Sequence, residues 1–134
     1  MQTDAKIMIV DDSRSIRAFI SAHLIEGGYK NVDEESDGEQ AWSKLIAANP
    51  PFDLVISDWH MPNLSGMGLL QKIRATSKTK SLEVIMSTTE RNKDEIVKSL
   101  QLGVNAYMIK PYEPAALISA VQKALSKYAE TKSI

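Results

Sequence analysis

The sequence contains no cysteine. Disulfides, thiolate nucleophiles and thiolate metal sites are therefore excluded outright. No apolar run approaches the ~20 residues that would span a bilayer. The formal net charge is only -1, which gives no reason to expect nucleic acid or an anionic membrane as the main partner. Met1 to Lys6 lacks a basic stretch followed by an apolar one, so a secretion signal is not expected and a cytoplasmic protein is. The two histidines, His23 and His60, are too few for an imidazole metal set. Internal repeats, low-complexity blocks and long linkers are also lacking.

What remains is an ordinary globular composition, 43% hydrophobic and 25% charged over 134 residues. That suits one domain with one core. The chain is read as a single unit over residues 1–134, its core spanning about 5–128 and its end a short polar tail.

The stretch Leu54 to Pro62 organises the reading. Leu54-Val55-Ile56-Ser57 is too short for an ordinary helix and reads as a buried strand; it stops on Asp58, with a proline shortly after. Similar runs recur at Ile7 to Val10, Leu82 to Met86 and Ala106 to Ile109, with the polar Val32 to Ser36 as an edge strand. Helical patterns alternate with them. The first carries Ile16, Phe19, Ile20 and Leu24 and stops at Gly27-Gly28. The second is capped by Asp37, with Gln40 at capping-box spacing, and buries Ala41, Leu45 and Ala48. The third buries Leu69, Leu70 and Ile73; the fourth, Ile96, Val97 and Leu100. The fifth begins near Pro114 and buries Leu117, Val121, Ala124, Leu125 and Tyr128. This alternation predicts an α/β fold, a doubly wound five-stranded parallel sheet covered by helices on both faces.

In such a sheet every strand's carboxyl end lies on one edge, which is where ligands bind. Asp11 and Asp12 follow the first strand, Asp58 the third, Thr88 the fourth and Lys110 the fifth. Clustered carboxylates repel one another, and a hard divalent cation removes the conflict. Carboxylate oxygens with retained waters suit Mg²⁺. Lys110 adds an ammonium and Thr88 a hydroxyl, so the set suits phosphoryl transfer, with Asp58 as the nucleophile. Each group also has a plainer use. Asp11 or Asp12 could cap the first helix, Thr88 or Thr89 the fourth, and Lys110 could simply be solvated.

Taken together, Val10-Asp11-Asp12-Ser13, Asp58-Trp59-His60-Met61-Pro62 with Gly66, Thr88-Thr89-Glu90, and Gly103 to Tyr107 with Lys110-Pro111 resemble the response-regulator receiver domains, most closely the single-domain, CheY-like chemotaxis type. The resemblance covers essentially the whole chain. It implies the flavodoxin-like strand order 2-1-3-4-5. It also implies that Asp58 accepts phosphate from a histidine kinase and that Asp12, Asp58 and the backbone carbonyl of His60 bind Mg²⁺, with Asp11 reaching the metal through water. Thr88 and Lys110 would hold the phosphoryl oxygens, Thr88 and Tyr107 would move together as the switch, and the Lys110-Pro111 bond would be cis. His60 stands where the chemotaxis relatives usually carry Asn; that position and Glu90 would modulate loss of the phosphate.

On this reading the protein is a signalling switch and not an enzyme in the ordinary sense. Phosphorylation would shift the face made by the fourth helix, fifth strand and fifth helix, where a target such as a flagellar motor switch component would dock. A monomer is expected, with dimerisation on activation open because paired receivers use the same face. A relay carrier that passes its phosphate to a histidine phosphotransfer domain is the alternative. An aspartyl phosphatase of the haloacid-dehalogenase type needs a second acid two positions after its nucleophile, and Asp11 is followed there by Ser13. A flavin-binding protein fits less well, since no phosphate-cradling loop follows the first strand.

Overall fold

Short strand-forming runs of four to six residues, all but the edge one largely apolar, separated by amphipathic segments, leave the backbone one economical arrangement, a parallel sheet with helices on both faces. The computed structural model, which describes residues 2–126, has it. Strands β1 (Lys6–Val10), β2 (Asn31–Glu35), β3 (Leu54–Ser57), β4 (Glu83–Thr88) and β5 (Ala106–Ile109) alternate with helices α1 (Arg14–Glu26), α2 (Gly38–Ala47), α3 (Gly66–Ala75), α4 (Lys93–Gln101) and α5 (Pro114–Ala124). All neighbouring pairs are parallel, in the order β2-β1-β3-β4-β5. The topology expected from the sequence is the one observed.

The strands alternate their side chains between two cores. Met8, Val10, Val55, Val84 and Met86 pack with Leu69, Leu70 and Ile73 of α3 and with Ala41 and Leu45 of α2. Ile7, Ile9, Leu54, Ile56 and Ile85 pack with Ile20 and Leu24 of α1 and with Leu117, Val121, Ala124 and Leu125. Tyr128, expected in the last stripe, and the polar tail lie outside the described residues.

Three local expectations are corrected. Strand β4 runs on through Ser87 to Thr88 and excludes Leu82, because Thr88 continues the ladder opposite Ile109. Helix α4 was expected to bury Ile96, Val97 and Leu100, yet Val97 is 43% and Leu100 53% exposed, while Ser99 is fully buried. The helix turns this way because Ser99 is small and satisfies its own hydroxyl by donating to the Ile96 carbonyl (2.7 Å). The capping box at Asp37 is half formed. Its Oδ1 accepts from the Glu39 and Gln40 amides at 2.7 and 3.0 Å, while Oδ2 accepts from the Asn63 side chain.

Gly66 opens α3 at a point where backbones nearly touch. Its amide donates to the Trp59 carbonyl at 2.7 Å, and a β-carbon there would overlap the Asp58 carbonyl oxygen. This glycine allows the chain leaving β3 to fold back over itself beside Asp58.

Candidate functional site

Because the strands are parallel, Val10, Ser57, Thr88 and Ile109 all end on one edge, and the residues that follow them converge there. Asp11, Asp12 and Asp58 each place a carboxylate oxygen within 4.8 Å of the others. Asp11 is buried, Asp58 half-buried and Asp12 exposed, so the cluster opens to solvent on the Asp12 side. Lys110 spans the buried end, with Nζ 2.7 Å from Asp11 Oδ2 and 3.4 Å from Asp58 Oδ2.

The acids are held by backbone. Asp11 Oδ1 accepts from the Ser13 amide at 2.9 Å, and its carbonyl accepts from Arg17 Nη1 at 2.6 Å. Asp58 Oδ1 accepts from the Trp59 amide at 2.7 Å, and its own amide donates to the Val10 carbonyl at 2.8 Å, locking β3 to β1 at the site. The plainer uses fall away for most of these groups. Helix α1 is capped by Ser13, whose hydroxyl accepts from the Ile16 amide, so neither Asp11 nor Asp12 caps it. Helix α4 is capped by Asn92, so neither Thr88 nor Thr89 is needed there. Lys110 is paired, and its bond to Pro111 is cis.

Burial pushes the Asp11 carboxyl above the usual carboxylate value, partly offset by Lys110. Burial works against the Lys110 ammonium too, but its hydrogen bond to Asp11 and the attraction of both acids hold its pKa above the ordinary lysine value. The two directions pull oppositely on the pair. At 2.7 Å the lysine's governs, and Lys110 is charged at neutral pH.

Thr88 is fully buried, and its hydroxyl accepts from the Glu90 amide at 3.2 Å. Tyr107 is half-buried, with its ring centroid 6.3 Å from that of Trp59, and its hydroxyl donates to the Glu90 carbonyl at 2.9 Å. Burial, followed by the charges of Glu90, Glu95 and Asp58, pushes the Tyr107 hydroxyl up to about 12. One residue, Glu90, thus joins the threonine to the tyrosine through its backbone. Its carboxylate accepts from the Asn92 amide at 3.0 Å and lies 2.9 Å from His60 Nε2. The backbone amide contact and His60 hold that carboxyl below its usual range.

Asp11, Asp12, Asp58, His60, Thr88 and Lys110 lie at this edge or in the loops that follow it, and Tyr107, inside β5, reaches it through its hydroxyl on the Glu90 carbonyl. Sequence reasoning missed the partners that reach across loops. These include Asn63 on Asp37, the contact between Ser87 and Tyr112, and Arg74, whose guanidinium donates to the carbonyls of Lys80, Leu82, Leu102 and Gly103. Only the φ of +69° at Asn63 follows a residue type that favours it; the others carry no local signal. A cavity of about 610 Å³ lies at the opposite edge beside Lys6, Lys30, Asn31 and Pro50. Its lysines are already engaged, Lys30 with Asp4 at 3.2 Å and Lys6 with the Pro50 carbonyl at 2.8 Å. The chemistry sits on the shallow rim.

A buried aspartate, an exposed one and a third at a neighbouring strand end, bridged by a lysine, form the set that comparison with known proteins has to explain. Residues 7–122 match the family described as the response regulator receiver domain. The chain belongs to that family. It is 41% identical over 112 residues to chemotaxis protein CheY1 of Helicobacter pylori, covering 84% of this chain and 90% of that protein. It is 38% identical over 118 residues to chemotaxis protein CheY of Pseudomonas aeruginosa, covering 88% and 94%. Among solved structures, the chemotaxis response regulator CheY4 of Vibrio cholerae superposes with a TM-score of 0.81 at 34% identity, covering 91% of this chain and 99% of that one.

As a receiver domain of the CheY-like kind, the protein is a signalling switch and not an enzyme in the usual sense. Receiver domains typically bind Mg²⁺, and the donor set here fits it. Three carboxylates lie close together, and Lys110, between Asp11 and Asp58, offsets part of the repulsion. No helix among the described residues is long and apolar enough to cross a membrane.

Proposed function

We propose that this domain accepts a phosphoryl group on Asp58 from a histidine kinase and, so modified, presents the α4–β5–α5 face to a protein target. The observation that carries the reading is the position of Lys110 Nζ, between Asp11 and Asp58 within a cluster that Asp12 completes. A nucleophilic carboxylate needs a neighbour that stabilises charge on the group it attacks, and Lys110 is already in place.

In the transfer, a carboxylate oxygen of Asp58 attacks phosphorus, the phosphorus–nitrogen bond of the donor phosphohistidine breaks, and the imidazole departs. Asp12, Asp58 and the carbonyl of His60 are the groups that would hold Mg²⁺, with Asp11 acting through water. A bound Mg²⁺ supplies charge neutralisation for the phosphoryl oxygens. Lys110 takes up one of those oxygens, moving from an acid pair to the new anion. The Thr88 hydroxyl, which now accepts from the Glu90 amide, turns to donate to another. Tyr107 follows through Glu90, because both side chains bond the same peptide region.

The output face is supported by α4 itself. It buries Ser99 and leaves Val97 and Leu100 exposed, an apolar surface one helix from Glu90. Phosphorylation acts as a population shift: the phosphoryl group binds the active arrangement better through Thr88 and Lys110. A differential of about 3 kcal/mol changes the population ratio roughly a hundredfold. The target of choice is a flagellar motor switch component, as the chemotaxis resemblance implies. The exchange belongs in the cytoplasm and needs neither nucleic acid nor membrane.

The test is incubation with acetyl phosphate and Mg²⁺ followed by intact mass measurement. Wild type gains one phosphoryl group and Asp58→Asn gains none; equal labelling of both would overturn the assignment of the acceptor.

A further inference from the structure

Lys110 is held at one end by its backbone. Its amide donates to the Thr88 carbonyl at 2.8 Å, extending the β4–β5 ladder by one bond. Beyond it the chain leaves the sheet. There the segment borders an apolar cavity of about 200 Å³ lined by Ile16, Phe19, Lys110, Pro111 and Tyr112. Packing alone does not stop the loop from settling into that space, because an unfilled apolar volume offers no opposing atoms.

A second attachment lies two residues on. The Tyr112 hydroxyl and Ser87 Oγ are hydrogen bonded at 2.7 Å, and Ser87 is 1% exposed. Ser87 sits on β4 immediately before Thr88 and points to the opposite face, into the α1–α5 side of the sheet, so it does not move with the threonine hydroxyl. The ring of Tyr112 meets Phe19 edge-on, with centroids 6.3 Å apart. A phenylalanine would keep that contact; only the hydroxyl reaches Ser87. Burial pushes the Tyr112 hydroxyl above its usual pKa, so the group stays protonated and able to bond at neutral pH.

We infer that Tyr112 is a positioning residue: its hydroxyl, tied to Ser87, fixes the loop that aims Lys110 at Asp58. Ser87 and Tyr112 together with the Thr88 carbonyl and Lys110 amide make a two-point clamp on the lysine segment. This rests on the reading of Lys110 as the group that takes up phosphoryl oxygen. The clamp leaves the Thr88 side of β4 free to rearrange while the Lys110 side stays registered.

The experiment measures the initial rate of Asp58 labelling by acetyl phosphate with Mg²⁺, alongside urea midpoints. Tyr112→Phe and Ser87→Ala should each slow labelling by about three- to tenfold, the range expected for losing one buried neutral hydrogen bond. The double variant should be no slower than the slower single one. In a Lys110→Ala background, Tyr112→Phe should add nothing, because the tie acts through the lysine; a merely structural role would slow both backgrounds alike. Unchanged rates in both single variants, or equal slowing without Lys110, would overturn the inference. A wild type that takes no label overturns the underlying reading instead, whereas a labelled wild type with unaffected variants removes this one alone.

Discussion

His60 Nε2 lies 2.9 Å from Glu90 Oε1, joining the loop after β3 to the loop after β4. Both side chains belong to positions flanking the chemistry, two residues beyond Asp58 and two beyond Thr88. His60 is 68% exposed, so the bridge itself contributes little stability. Its expected consequence is steric: on the proposed reading the paired side chains, two residues beyond Asp58 and two beyond Thr88, hinder one approach to the phosphoryl group.

Opening the bridge should therefore shorten the life of the aspartyl phosphate. We expect His60→Ala and Glu90→Ala to accelerate loss of label by several-fold after the donor is removed, with little change in urea midpoint. Decay rates that match wild type in both variants would show that water reaches Asp58 by another path.

Mg²⁺ should stabilise the fold by mass action, about 1–3 kcal/mol at 10 to 100 times its dissociation constant. Asp12→Ala should lose most of that gain and, in chelator, should unfold at a higher temperature than wild type because one of three crowded carboxylates is gone. Calorimetry with and without Mg²⁺ decides it.

Asp37 gives a pH signature. Backbone bonds from Gln40, with help from Asn63, hold its folded pKa below 3.8. Its stabilisation is present above 3.8 and disappears as pH falls through the folded value. The stability gap between wild type and Asp37→Ala should be flat at neutral pH and close on acidification below 3.8. A gap independent of pH would mean that the cap works without its charge.

Gly66→Ala should be destabilising by about 1–3 kcal/mol, because its new methyl group collides with backbone at Asp58 and not with a flexible side chain. Labelling at Asp58 should slow as well. A variant as stable and as reactive as wild type would show that the β3–α3 junction relaxes without moving Asp58.

Much of this was legible in the chain. The run Leu54 to Ile56 is apolar throughout because β3 is central and buried on both faces, and such strands announce themselves by composition. Once the sheet is parallel, topology alone brings Asp11, Asp12, Asp58, Thr88 and Lys110 to one edge. The phase of α4 was not legible. Its apolar residues are real, but Val97 and Leu100 face outward, where a pattern-based reading assigns them to the core. Nor could local sequence choose Ser13 over Asp11 and Asp12 as the cap of α1, since all three can accept an amide and only the turn geometry decides. Contacts such as His60 with Glu90 and Ser87 with Tyr112 join residues 30 and 25 positions apart, and nothing in either segment alone names its partner.

The most direct test of the central claim is the amide NMR spectrum on adding Mg²⁺ and beryllofluoride, which imitates a phosphoryl group on an aspartate. Wild type should show saturable shifts at Asp58, Thr88 and Lys110 that extend through Glu90 and α4 to Tyr107, and Asp58→Asn should show none of them. A wild-type spectrum that stays unchanged, or shifts shared equally by Asp58→Asn, would contradict it.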